Sequence, residues 1–405
     1  MRTRRVILAL MVVAALLLAA CGSDSDDKAA PKDTENKDEP IKIVLFWEVQ
    51  GESQVAVDDY NNGAMLAVDE INKAGGIDGH QIEVKRIPAP VFDTQKLNAA
   101  YLKALDEKPS AIIGFPAPPQ VPAVIANITR GRVPALVMTA GGDNVRFGAE
   151  AGSEFSWWMD YGGSTADVAV DYMTDELKVD KIALMGDSGD YGTEFVNFAK
   201  KSLERKDLKP TTVQSFAPDA ADLTQQVLAV KSSGAQGVFN AAYPNPLAVQ
   251  LKQFQQNGLD VPTFSFGSSP FVVNYKMATG DALKNFFGVE ACNFLATDQA
   301  SSKAFSAEYQ KRYPKAGPPS YMAGYSHDAL YLVKAAVEKA GSTDPEKINE
   351  ALDGLEVTDG VVCGARYQAD GSHFLRRDGV VVSYGPTSPP GKIVKTFEIP
   401  LLDKA

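Results

Sequence analysis

The side chains of this sequence that could do chemistry are three cysteines, three histidines, scattered acids and a set of aromatic residues. A metal site needs ligands at set spacings, and His80, His327 and His373 show none with each other or with Cys21, Cys292 and Cys363. Acyl or phosphoryl transfer would bring a Gly-x-Ser-x-Gly elbow or a Gly-x-x-x-x-Gly-Lys loop, and neither occurs. Asp187 and Asp190 could in principle act as acid and base, but carboxylates in such loops are common outside enzymes. An enzyme is therefore disfavoured, and no cofactor or metal is expected. The aromatics suit binding. Tyr191 follows the apolar run ending in Met185-Gly186-Asp187, and Tyr243 follows Phe239-Asn240-Ala241-Ala242. At the carboxyl end of a strand a phenol can stack on a ligand and offer a hydrogen bond.

The N-terminus sets the compartment. Arg2, Arg4 and Arg5 precede the almost unbroken apolar run 6–18, which is too short for a comfortable membrane span of roughly 20 residues. A basic head, a short apolar stretch and small residues describe a secretory signal. Leu18-Ala19-Ala20-Cys21 resembles the bacterial lipobox, which implies cleavage before Cys21 and its diacylation. Acyl chains partition at about 0.8 kcal/mol per CH₂, so two or three anchor a protein stably. Residues 1–20 read as the lipoprotein signal. Residues 21–40 read as the lipidated cysteine and a polar tether that cannot bury enough surface to order itself. The expected location is the outer face of a bacterial cell membrane, reached through the Cys21 anchor.

The full chain carries 40 basic and 51 acidic residues, a net charge of −11; losing Arg2, Arg4 and Arg5 leaves 37 basic and −14. An acidic body excludes nucleic acid as a natural partner, because phosphate neutralisation needs clustered Lys and Arg. With Cys21 assigned to lipid, Cys292 and Cys363 remain in an oxidising compartment. An even remainder suggests one disulfide, with two buried free thiols as the alternative.

Two runs of strand and helix must position the binding residues. The first runs from the buried strand at Ile41 through helices beginning near Gly63, Thr94 and Val121 to a strand at Val133–Met138. The second starts with a helix at Ala166 and passes through strands at Lys181, Thr211, Gly237 and Thr263. Two such runs predict two mostly parallel sheets covered by helices, with ligand held where strands end between the lobes. Helices are expected at Ser302–Arg312, Tyr321–Ala340 and Pro345–Leu352. The tail should form hairpins with turns at Asp370-Gly371 and Asp378-Gly379.

Several segments together resemble the leucine/isoleucine/valine-binding proteins, among the type I periplasmic binding proteins. They are Ile41-Lys42-Ile43, Asn62-Gly63-Ala64 through Asn72, Gly75-Gly76-Ile77-Asp78-Gly79, Ile112-Ile113-Gly114, Lys181-Ile182-Ala183, Asp190-Tyr191-Gly192, and Tyr325 with Asp328-Ala329-Leu330. The resemblance implies an α/β fold of two doubly wound, Rossmann-like lobes joined by a three-segment hinge. It places lobe 1 at 41–158 plus 295–383 and lobe 2 at 159–294 plus 384–405. It also implies an ABC importer, with a small-molecule ligand, a permease and ATPase complex as partners, and a monomeric binding protein. A ligand-sensing lipoprotein that signals to a membrane partner is the alternative.

By the same resemblance, ligand carboxylates meet lobe-1 loops that map onto Ala117 and Pro118 and onto Thr139, Gly141, Gly142 and Asp143. Pro118 stands where such proteins use a hydroxyl, and Ser269 where they place an acid for the ligand ammonium. Trp47, Glu48, Trp158 and Asp160 fall at strand ends facing the expected cleft. The full candidate set is thus Trp47, Glu48, Ala117, Pro118, Thr139, Gly141, Gly142, Trp158, Asp160, Tyr191, Tyr243 and Ser269. It describes a flatter, more apolar pocket suited to an aromatic or bulky compound rather than a free aliphatic amino acid.

Overall fold

The computed structural model describes residues 39–47, 54–90, 93–115, 120–141, 154–364, 366–369, 373–385 and 391–399. The first run comprises β1 (Ile41–Phe46), α1 (Gln54–Lys73), β2 (Ile82–Ile87), α2 (Thr94–Asp106), β3 (Ala111–Gly114), α3 (Gln120–Gly131), β4 (Ala135–Gly141) and β5 (Ser156–Tyr161). The second comprises α4 (Gly162–Asp171), β6 (Ile182–Asp187), α5 (Asp190–Glu204), β7 (Val213–Phe216), α6 (Thr224–Ser232), β8 (Gly237–Ala241), α7 (Pro244–Gln256), β9 (Thr263–Phe266), α8 (Ser269–Asn274) and β10 (Phe286–Glu290). The chain returns through α9 (Ala300–Arg312), α10 (Tyr321–Ala340), α11 (Pro345–Leu352), β11 (Glu356–Val357), β12 (Tyr367–Ala369), β13 (Leu375–Ser383) and β14 (Lys392–Ile399).

Side chains alternate along a strand, so a sheet buried on both faces needs apolar residues at odd and even positions alike. β1 meets that demand. Ile41, Ile43 and Leu45 enter the core shared with α1 and α10, whereas Val44 and Phe46 enter the core shared with α2 and α3. The resulting sheet is parallel in the order β2-β1-β3-β4-β5. The second lobe repeats the logic. Ile182 and Leu184 of β6 face one core, and Ala183 and Met185 face the other. Its strands run in the order β13-β10-β9-β8-β6-β7, with β14 on β13.

The chain crosses between the sheets three times: from β5 into α4, from β10 towards α9, and along β13. β13 pairs with β12 at Leu375 and Arg376 and with β10 from Val380 to Ser383. The expected division at 158/159 falls inside β5, which stays in the first sheet as far as Gly141 opposite Tyr161. The expected turn at Asp378-Gly379 is not formed. Both residues lie in mid-strand opposite Glu398 and Phe397, because a ladder on β13 satisfies the backbone that a turn would leave unpaired. Asp370-Gly371 lies outside the described residues. Cys292 and Cys363 are joined as a disulfide with Cα atoms 5.1 Å apart. Among the described residues no helix is long and apolar enough to cross a membrane.

Candidate ligand-binding cleft

The lobe-2 strands end in residues that gather at one place. β6 ends at Asp187, and α5 opens three residues later with Asp190 and Tyr191. Tyr243 stands at the N-cap of α7, where Pro244 supplies the fixed φ that suits a first helical position. The Tyr191 and Tyr243 rings lie 5.5 Å apart, and the Tyr191 hydroxyl donates to Phe266 O at 2.6 Å. Burial drives the Tyr191 phenol well above its ordinary range and the Tyr243 phenol up to about 12, so both are neutral donors at physiological pH. Tyr321, at the first turn of α10, comes from the opposite lobe. A methyl group placed on Gly267 would lie 3.1 Å from the Tyr321 hydroxyl and 3.8 Å from that of Tyr191. Gly267 also has φ +71, so any other residue would be strained there and would fill the space between the two hydroxyls.

Asp187 sits beneath this aromatic group. One carboxylate oxygen accepts Gly189 N–H at 2.9 Å, and the other has no partner among the described residues. Burial pushes its carboxyl up to about 6, against the pull of the Gly189 and Gly192 N–H groups. On the lobe-1 side Trp47 follows β1 and stacks on Tyr60 at 4.1 Å, nearly parallel. Its indole N–H is buried with no acceptor among the described residues.

The remaining candidates divide into three groups. Cys21, Glu48, Ala117, Pro118, Gly142 and Asp143 lie outside the described residues. Thr139 and Gly141 stand in β4 and Asp160 in β5, where Ala140 pairs with Asp160, and their side chains are likewise outside what is described. Trp158 and Ser269 are seen, and both are fully buried. Trp158 is fully buried in the core of lobe 1 that α2 and α3 cover, with its indole N–H on Ser156 Oγ at 3.2 Å. The alternation of β5 explains this: Trp157 takes the opposite face and hydrogen-bonds Asn349 Oδ1 at 2.9 Å. Ser269 is fully buried and donates to Glu290 Oε1 at 2.9 Å. Sequence reasoning missed Tyr321 and named Asp187 only as a possible acid or base. The N-cap Ser320 ahead of Tyr321 was the available signal, since it fixes where α10 begins.

The arrangement can set phenol ring faces and hydroxyls against a ligand. Among the described residues no group of three or more His, Cys, Asp or Glu could hold a metal ion.

Known proteins share this architecture. The chain is 25% identical over 317 residues to the leucine-, isoleucine-, valine-, threonine- and alanine-binding protein of Pseudomonas aeruginosa, covering 77% of this chain and 82% of that one. The crystal structure of LivJ, a branched-chain amino acid transporter substrate-binding protein from Streptococcus pneumoniae, in complex with isoleucine superposes with TM-score 0.76 at 22% identity, over 89% of this chain and 99% of that one. A solute-binding protein of an ABC transporter from R. palustris, in complex with 4-hydroxybenzoate, gives TM-score 0.75 at 18% identity, over 89% and 97%. The periplasmic binding protein family model matches residues 40–385, which take in both sheets apart from β14, the three crossings and the aromatic cluster, and the chain belongs to that family.

Proposed function

We propose that this protein is the extracytoplasmic, lipid-anchored binding component of an ABC importer, and that it captures a bulky or aromatic organic compound by closing two lobes around it. Cys21 carries the anchor, and the permease and ATPase receive the ligand. The observation that carries the ligand class is the convergence of Tyr191, Tyr243 and Tyr321 about Gly267, with the Trp47 indole N–H left for a ligand acceptor. Ser269, at the position expected to replace the ammonium-binding acid of amino-acid binders, is engaged by Glu290 instead. The R. palustris relative that holds 4-hydroxybenzoate fits the same direction.

A thermal-shift panel followed by calorimetry tests the proposal with 4-hydroxybenzoate, 3,4-dihydroxybenzoate, phenylalanine and leucine. A ligand at 100 times its Kd should add about 2.7 kcal/mol of stability. At least one aromatic compound is expected to do so and leucine is not. Micromolar or tighter leucine binding would overturn the ligand assignment.

A further inference from the structure

Arg377 is a fully buried cation at the place where the three crossings meet. It lies on β13, the third crossing, and is 1% exposed. Its Nε donates to Met159 O on β5, the first crossing, at 3.3 Å. Its Nη1 donates at 3.0 Å to Ala291 O, the first residue of the second crossing, and at 2.9 Å to Asp378 O. Its Nη2 donates to the Tyr325 hydroxyl on α10, with the guanidinium 4.6 Å from that ring's centre. One side chain thus bonds all three segments that pass between the lobes, together with α10 of lobe 1.

Burying a guanidinium is costly unless its donors are satisfied in fixed directions, and a planar fork of five N–H groups can serve several acceptors at once. The second crossing shows where the pivot lies. Cys292 is tied to lobe 1 by its disulfide to Cys363, whose N–H is held at 2.8 Å by Asp328 of α10. The next residue, Asn293, is tied to lobe 2 through Glu290 Oε2 at 3.0 Å and the Tyr384 hydroxyl at 2.9 Å. Ala291, the residue that Arg377 grips, stands immediately before this change of allegiance.

We propose that Arg377 is the positioning residue of lobe closure: it holds the three crossings at one point and so fixes the axis about which the lobes turn. The proposal rests on the reading that the lobes move as bodies and on no particular ligand. Arg377→Lys places one compact ammonium where a fork is needed, and Arg377→Met removes the donors while keeping an apolar stem. Tyr325→Phe removes one acceptor and keeps the ring.

The test is a nitroxide distance measurement between Leu102→Cys on α2 and Leu228→Cys on α6. Both positions are exposed, one on each lobe. The full chain carries Cys21→Ser so that only these two thiols label. The parent should give a narrow distribution. Arg377→Met and Arg377→Lys should broaden it about twofold or shift its centre, and Tyr325→Phe should do so by less, each with the cooperative melt retained. An unchanged distribution in folded Arg377→Met and Arg377→Lys overturns the proposal. Should neither variant fold, an unchanged distribution in Tyr325→Phe overturns it. Failure of the ligand reading would instead appear as no binding in the aromatic panel, which leaves this measurement intact.

Discussion

Replacing Glu290 by Gln is expected to remove a large part of a stability loss that the protein suffers between pH 5 and pH 8. Glu290 ends β10, is fully buried, and meets Ser269, Asn293 and Tyr384. Burial outweighs these hydrogen bonds and pushes its carboxyl from 4.5 up to about 7. An acid raised in this way keeps its proton in the fold while the unfolded chain has released its own, so stability is full below pH 4.5 and falls as pH rises to 7. At 1.36 kcal/mol per unit, the loss from Glu290 between pH 5 and pH 8 is about 2.5 kcal/mol. Gln has the same shape and no proton to lose. Asp59 and Asp187, which burial pushes up to about 6, and His327, raised against the pull of burial by its contacts with Asp328 and Glu70, add losses of the same sign that the variant retains. Urea unfolding at pH 5 and pH 8 measures both proteins. The difference between the two pH values is the readout, so a constant cost of the amide against Asn293 cancels. A variant whose stability falls by as much as the parent's would show that Glu290 is ionised in the fold and that the reasoning is wrong.

Three further outcomes are expected. Mature protein unfolded without reductant should show no reactive thiol from Cys292 or Cys363, and reduction should lower stability by up to about 4 kcal/mol for a closed span of 71 residues. Gly63→Ala should cost about 3 kcal/mol or more by chemical denaturation, because its new Cβ would meet Ala323 O of α10 at 2.1 Å, and backbone cannot step aside as a side chain can. Cys21→Ala should leave the protein unprocessed or release it into the medium, and detergent partitioning of the cell fraction reads this directly; an acylated, membrane-bound variant would contradict the anchor.

The fold was legible because its period is simple. Continuous apolar runs such as Ile43 to Phe46 and Ile182 to Met185 mark strands buried on both faces, and α10 and α11 begin and end where their caps and spacing indicate. The pairing of Tyr191 with Tyr243 was legible because each stands where a strand hands over to a helix. Placement was not legible where face decides. Trp157 and Trp158 are adjacent, so they occupy opposite faces of β5, and nothing local says which is nearer the ligand. Asp378-Gly379 reads as a turn locally, but cross-strand pairing overrides local preference. Tyr321 and Arg377 escape for another reason. Their roles depend on segments far away in sequence, Gly267 for the one and Met159 and Ala291 for the other.

The packing of α10 against α1 also orders events in time. Ala64, Ala67, Val68 and Ile71 of α1 are covered by residues of α10, although β6 to β10 lie between them in sequence. A chain delivered N-terminus first can assemble β6 to β10 from contiguous sequence while this face of lobe 1 still lacks its cover. Lobe 1 must wait for α10, just as lobe 2 waits for β13 and β14, and an exposed α1 marks the unfinished molecule until Ala340 has emerged.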